Sequence, residues 1–409
     1  MTDLPDFERM WRDLAPIGRS SSSGGYFRQP WHGAELELRA WFREAAAARG
    51  LEIEEDPFGN LVAWWGAPDA GVADGGPPGS RDAVLTGSHL DSVPDGGAFD
   101  GPLGIVSAFA ALDVMRSRAV VPARRLGIAA FVEEEGSRFG RACLGSRLAV
   151  GAVSWADVRE LTDRDGVRLG DVVEGTTNGG SALLDGVAAY VELHVEQGRG
   201  LVEMGAPVGV HSAIWPHGRY RYDIAGRADH AGTTRMEDRA DPMLTYAMTV
   251  LAANKQARLA GQRATFGRID VRPNGTNAVA SHITACLDAR ADSESALGTL
   301  VAEIERQAGE RARRDGTTVT VTAESVSGEV VFDPALREEL SARLGGVPVL
   351  PTQAGHDAGI LQDAGIPAAM LFVRNPTGIS HSPAESAQTS DCLAGVEALA
   401  DALTGLVSR

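Results

Sequence analysis

The sequence predicts an α/β protein interrupted by a compact β-α-β-β-α-β unit. Three observations predict it. Helix and strand signals alternate through the first half of the chain. From Arg219 to Val326 they give way to strands of alternating polarity around two helices. After Pro334 the α/β pattern returns.

Each element has its own warrant. Glu35 to Arg49 is Ala- and Glu-rich with apolar residues at helical spacing, and Gly50 stops it. Leu61 to Trp65 and Ala83 to Gly87 are short apolar runs, and Pro102 to Val114 reads as a helix after a Gly-rich turn. Leu126 to Val132 is almost wholly apolar, as expected of a strand buried on both faces of a parallel sheet. Tyr190 to Val195 is a further strand. Then Arg219 to Ala228 alternates, Pro242 to Leu259 is helical, and Thr265 to Val271 and Ile283 to Ala289 are strands. Leu297 to Arg314 is a helix and Thr318 to Val326 a strand, which completes the ferredoxin-like order. Strand Ala369 to Val373 and helix Leu393 to Leu406 close the α/β part. Ser20 to Gly25, Gly71 to Ser80 and Gly175 to Ser181 read as loops.

Composition narrows the function. A chain of 409 residues is expected to hold two or three domains. Its net charge of −17 repels phosphate backbones and anionic lipid, so nucleic acid and membrane are poor partners. No apolar run approaches the roughly 20 residues of a bilayer span. The acidic start Thr2-Asp3-Leu4-Pro5-Asp6 has no apolar signal core, which predicts a cytoplasmic protein. Cys143, Cys286 and Cys392 are too scattered for a disulfide framework or a thiolate zinc site and read as small apolar fillers. Lys255 is the sole lysine, which excludes a Schiff-base lysine elsewhere.

Five polar clusters carry the chemistry. They are Gly87-Ser88-His89-Leu90-Asp91-Ser92, Gly97-Ala98-Phe99-Asp100-Gly101-Pro102, Glu133-Glu134-Glu135-Gly136-Ser137-Arg138-Phe139, Glu192-Leu193-His194-Val195-Glu196-Gln197-Gly198 and Ile379-Ser380-His381-Ser382-Pro383. Four sit near predicted strand ends, where open parallel sheets build their sites, and the fifth follows the last strand by several residues. Imidazole and carboxylate without thiolate suit Zn, Mn or Co. One Asp has two oxygens and can bridge two cations. In strict alternation Glu134 and Glu135 would face opposite ways, but at a strand end both can reach one site. His32, His211 and His282 read as surface or packing residues. His356 stands evenly between a role at the site and one in shaping its loop. Arg138 reads as a brace for the Glu loop.

The motifs HxD, GxFDGxxG, EEGxRF, ELHxEQG, ADHAGTT, PNGTN and SHSPxE occur in this order. In them the chain resembles the amidase/hydantoinase/carbamoylase group of binuclear metallo-amidohydrolases, over nearly its whole length. That resemblance implies a metallopeptidase-like catalytic domain in residues 1–213 and 329–409, with 214–328 as an inserted dimerisation lid. It implies two divalent cations per subunit, Mn or Zn with Co possible. His89 and His194 would hold one, Glu135 and His381 the other, and Asp100 would bridge. Asp91 would orient His89. Glu134 would be the general base toward water. His230 would stabilise the oxyanion in the partner subunit's site. Gln197, Asn277 and Arg290 would bind substrate, Arg290 through its carboxylate.

Two departures bear on substrate. Arg235 follows Thr233-Thr234 where the group usually has Pro. Ser212-Ala213-Ile214-Trp215-Pro216-His217-Gly218 replaces a stretch with Gln near its end, which hands His217 a substrate contact. The expected partner is a small ureido carboxylate, and the expected assembly a homodimer. Allantoate is the first substrate expected, because the Trp-Pro-His segment and the Met10-Trp11 start resemble sequences of that activity. N-carbamoyl-L-amino acids and N-carbamoyl-β-alanine come second, and an aminoacylase or peptidase third. A non-catalytic ureide-binding relative is the rival of another class, and it would be expected to have lost the base or a ligand; none is missing.

Overall fold

The computed structural model describes residues 5–66, 83–176 and 180–409. The expected loop at Gly71 to Ser80 lies outside them, as do residues 177–179 of the loop from Gly175 to Ser181. The chain divides into two compact units, one of residues 1–213 and 331–409 and one of residues 214–330.

The strands of the first unit are β1 (Glu52–Glu55), β2 (Leu61–Trp65), β3 (Ala83–His89), β4 (Arg125–Phe131), β5 (Val187–Val195) and β6 (Val208–Ile214), then β13 (Val330–Val331), β14 (Val349–Thr352) and β15 (Ala368–Val373). They form one mixed sheet in the order β1-β2-β4-β3-β5-β15-β6-β13, with β14 on β6. β4, β3, β5 and β15 run parallel. β2 is antiparallel to β4, and β6 to β15. The sheet expected to be parallel is therefore parallel only at its centre. Those four strands are buried almost throughout, which is why they read as unbroken apolar runs. Helices Pro102–Ser117 and Thr389–Val407 join their apolar faces to this sheet in one core, with Phe109, Met115, Val396 and Leu403 fully buried. The helix Pro5–Leu14 was not foreseen. It stacks Trp11 on Phe99 at 4.8 Å, one residue from Asp100.

In the second unit β7 (His217–Ala225), β9 (Arg263–Arg272), β11 (His282–Arg290) and β12 (Thr318–Ser327) form an antiparallel sheet in the order β12-β7-β11-β9. Helices Pro242–Ala260 and Glu294–Asp315 connect them, and Leu287, Ile304 and Ala308 lie in their core. β8 (Asp229–His230) and β10 (Ala278–Val279) make a separate two-stranded pair. Asp241 and Ser293 cap the two helices by accepting from Met243 and Ala296 backbone N–H groups. No helix among the described residues is long and apolar enough to cross a membrane.

Gly87 shows how tightly the carboxyl edge of the sheet is built. Its φ is +142°, and a Cβ there would lie 1.9 Å from the Ala129 carbonyl oxygen in β4. Gly87→Ala should therefore cost about 3 kcal/mol or more through backbone strain and a displaced strand. Urea unfolding of the two proteins side by side checks this, and an unchanged midpoint would refute it.

Candidate metal centre

β3, β4, β5 and β15 are parallel, so their carboxyl ends share one edge of the sheet. His89 is the last residue of β3, and His194 precedes the last residue of β5. Both are fully buried. His89 Nδ1 lies 3.1 Å from the Asp91 carbonyl oxygen and His194 Nδ1 lies 2.9 Å from that of Val195. A carbonyl can only accept, so each ring carries its proton on Nδ1 and turns the Nε2 lone pair toward the site.

Both Nε2 atoms meet one oxygen of Asp100. Its Oδ1 is 3.4 Å from His89 Nε2 and 3.1 Å from His194 Nε2. The other oxygen faces a different group, with Asp100 Oδ2 3.5 Å from His381 Nε2 and Glu135 Oε2 3.4 Å from the same nitrogen. Two donor sets thus share Asp100, one being His89, Asp100 and His194 and the other Asp100, Glu135 and His381. His89 Nε2, His194 Nε2 and Glu135 Oε1 are buried without a hydrogen-bond partner among the described residues. Unpaired lone pairs of imidazole and carboxylate suit divalent cations, and burying them otherwise is costly.

The carboxylate run separates into three roles. Glu133 has φ +54° and is fully buried, and its Oε1 accepts from the backbone N–H groups of Arg138 and Phe139. Burial pushes its carboxyl up to about 8. Glu134 Oε2 lies 3.7 Å from His89 Nε2, and Glu135 lies beside His381. Both thus reach the site, on different sides of Asp100. Burial first and neighbouring carboxylates second hold both well above the usual carboxylate range. At Asp100 burial works upward, but the imidazoles of His194 and His89 outweigh it and hold it well below that range.

Asp91 has carboxylate partners other than the imidazole expected for it. Its carboxylate is 3.6 Å from His89 Nδ1, and the closer contact to that nitrogen is its own backbone carbonyl. The two carboxylate oxygens instead accept from the Glu134 and Glu135 backbone N–H groups, each at 3.2 Å. Arg138 pairs with Asp163 at 3.0 Å and bonds the Pro30 carbonyl, which anchors the Glu loop as expected. Cys143, read as a filler, is buried but also places Sγ 3.5 Å from Glu134 Oε1.

The structure also gives partners to Glu192, Asp357 and Glu385, for which the sequence suggested no role, and places the two histidines His356 and His211. Glu192 accepts from Ser88 Oγ at 2.8 Å and from the Ala358 backbone N–H at 3.1 Å, so it ties β3 and β5 to the start of the helix Asp357–Asp363. Asp357 accepts from Ser146 Oγ, and burial pushes it up to about 8. His356 lies 4.6 Å from His194, ring to ring, and forms a third candidate donor group with Glu192 and His194. His211 is buried against Phe372, and burial holds its pKa well below the usual value. Glu385 accepts from the backbone of the Asp100 turn. In the sequence it is the last residue of the SHSPxE motif.

Gln197, expected at the substrate, donates from Nε2 to Asp100 Oδ2 at 2.6 Å. The remaining expected contacts lie in the second unit and fall into two groups. His230 and Asn277 form one. His230 faces Ala278 across the β8–β10 pair, and the Ala231 N–H donates to the Asn277 carbonyl. The His230 Nδ1 accepts from the Gly232 and Thr233 N–H groups, at 3.0 and 3.2 Å. Its ring proton is therefore on Nε2, a donor on an exposed side chain. His217 and Arg290 form the other group, as cross-strand partners. Arg290 is engaged by Asp288, Nε to Oδ1 at 2.8 Å and Nη2 to Oδ2 at 3.1 Å, so a substrate carboxylate would share it. The nine residues of β7 separate the groups, about 26 Å at about 3.3 Å per residue.

Comparison with known proteins gives the family. Residues 85–405 match the model of peptidase family M20/M25/M40. An N-carbamoyl-L-amino acid amidohydrolase of Geobacillus stearothermophilus is 33% identical over 407 residues, 96% of each chain. The allantoate amidohydrolase of Escherichia coli K12 is 31% identical over 395 residues, 92% of each. A crystal structure of an amidase of the hydantoinase/carbamoylase family from Burkholderia vietnamiensis superposes with a TM-score of 0.87 at 25% identity, covering 100% of this chain and 98% of that one. Matched over most of its length by the family model, and over nearly all of it by these relatives, the chain belongs to peptidase family M20/M25/M40.

Proposed function

We propose that this hydrolase cleaves the ureido C–N bond of a small carboxylate, with allantoate the first substrate to test and N-carbamoyl-L-amino acids the second. One observation carries the reading: the two oxygens of Asp100 serve two separate sets of imidazole and carboxylate donors. Two divalent cations held there, Mn or Zn with Co as a third choice, would polarise the ureido carbonyl and acidify a water. The names of the Geobacillus and Escherichia relatives support the ureido class. The Trp215-Pro216-His217 segment puts allantoate first within it. Side by side in Mn²⁺, ammonia release should be fastest from allantoate, then N-carbamoyl-amino acids, then N-carbamoyl-β-alanine. Release from none of them would overturn the reading. Chelation should abolish turnover and Mn, Co or Zn should restore it; full activity in chelator would exclude the metal.

The chain's own groups have defined tasks. Glu134 takes the proton of the attacking water and passes it to the leaving nitrogen. The released carbamate then breaks down to ammonia and carbon dioxide. Asp91 keeps the Glu134 and Glu135 backbone in place. The Nε2–H of His230 donates to the developing oxyanion, and Arg290 and His217 take the carboxylate. Glu134→Gln keeps the shape and removes the base, so kcat should fall by about two to four orders of magnitude while metal content persists. Loss of metal instead would exchange the roles of Glu134 and Glu135.

We also infer a homodimer through residues 214–328, a ferredoxin-like lid. The strand order β12-β7-β11-β9 with two connecting helices supports that fold. The exposed stripe Leu244, Met248, Leu251 and Leu259 along helix Pro242–Ala260 supports pairing. The separation of His230 from Arg290 supports shared sites, because a small substrate cannot span about 26 Å. His230 then serves the partner's metal site. The three free cysteines fit a reducing cytoplasm. Mixed under subunit exchange, inactive Glu134→Gln and His230→Ala proteins should recover about a quarter of wild-type activity, since half the dimers gain one good site of two. A mixture as inactive as its parents, with exchange shown by tags, would place His230 in its own subunit or outside catalysis.

A further inference from the structure

The five donors of the metal centre are not held equally. His89 and His194 sit on core strands, each ring fixed by a backbone carbonyl. Glu135 is fixed through its backbone by Asp91. His381 is different. It follows β15 on a loop, its backbone has φ +54°, and its side chain is 51% exposed. Something must hold that loop to Asp100, because Glu135, His381 and Asp100 must converge on one ion.

Glu385 makes that link. It is 7% exposed. Its Oε2 accepts from the Phe99 and Asp100 backbone N–H groups, at 2.7 and 3.0 Å, across more than 280 residues of sequence. Its Oε1 lies 3.2 Å from Ser380 Oγ, the residue before His381. Ser380 Oγ is also 3.1 Å from Asp100 Oδ2, so a single hydroxyl proton is shared between the two carboxylates. The carboxylate reaches the turn only because residue 97 is glycine. A Cβ on Gly97 would fall 2.1 Å from Glu385 Oε2.

On the metal reading above, we infer that Glu385 is a positioning residue for the Glu135–His381 side of the centre. It holds the Asp100 turn and the His381 loop in one register, and so sets how tightly the second cation binds. The His89–His194 side keeps two strand-held imidazoles and depends on it less. A brace for folding alone would not discriminate between two ions. A carboxylate that orients one ligand set would.

The test is calorimetric titration of metal-free protein with Mn²⁺ alone, with circular dichroism as the check on folding. Wild type should bind two ions. In Glu385→Ala one ion should bind nearly as in wild type and the other about 10–100-fold more weakly, the usual cost of losing a partner that orients a ligand. Glu385→Gln keeps a carbonyl oxygen that can accept both backbone N–H groups, so it should restore most of that affinity. Ser380→Ala should weaken the same ion. Two ions bound unchanged in Glu385→Ala, or both weakened alike, would overturn the inference and leave the metal reading intact. Fewer than two ions on wild type would instead overturn the binuclear reading. Should Glu385→Ala fail to fold, Ser380→Ala decides: selective loss of one ion supports the inference, and unchanged binding of both overturns it.

Discussion

The structure depends on keeping the Asp100 carboxylate ionised inside the protein. Its Oδ2 accepts from the Gln197 amide and the Ser380 hydroxyl, while its Oδ1 faces the Nε2 lone pairs of His89 and His194, an arrangement that a cation between them would satisfy. Those partners come from segments as distant as β3 and the loop after β15. Only a parallel sheet core could assemble them, because it brings the carboxyl ends of β3, β4, β5 and β15 to one edge.

Around that carboxylate lies a set of buried carboxylates that bond backbone N–H and hydroxyl groups next to the candidate donors. Asp91 carries the backbone of Glu134 and Glu135, Glu192 ties Ser88 to the helix that starts at Asp357, and Glu385 ties the Asp100 turn to Ser380. Each is a buried carboxylate satisfied mainly by N–H or O–H donors. Such anchoring keeps lone pairs aimed at a common point and limits the reorganisation that binding a cation would require.

The second unit poses a geometric constraint of its own. The neutral His230 donor lies beyond one end of the β7–β11 ladder, and Arg290 with His217 lies at the other. A strand of that length cannot bend the two onto one small molecule. The homodimer proposed above would remove the conflict, since each copy would then offer one end to itself and the other to its partner.

Local signals in the chain gave the central strands and the longer helices, and marked the clusters in which the expected donors lie; which residues would be ligands came from the family resemblance. Period-two and period-3.6 patterns located the core strands and the longer helices within a few residues, and turn glycines with His, Asp and Glu at strand ends marked the site. Short elements escaped: the helix Pro5–Leu14 and the β8–β10 pair carry too few residues for a pattern to show. Other features were not legible because they are relations between distant segments. That Glu134 and Glu135 fall on different sides of Asp100, that Asp91 serves backbone N–H groups, and that Glu385 grips a turn far away in sequence all follow from the packing of the sheet's edge. Composition and spacing determine which chemistry the chain can perform; hydrogen bonds across hundreds of residues decide which atom of each side chain is free to perform it, because burial leaves lone pairs unsatisfied only where the tertiary fold provides no donor.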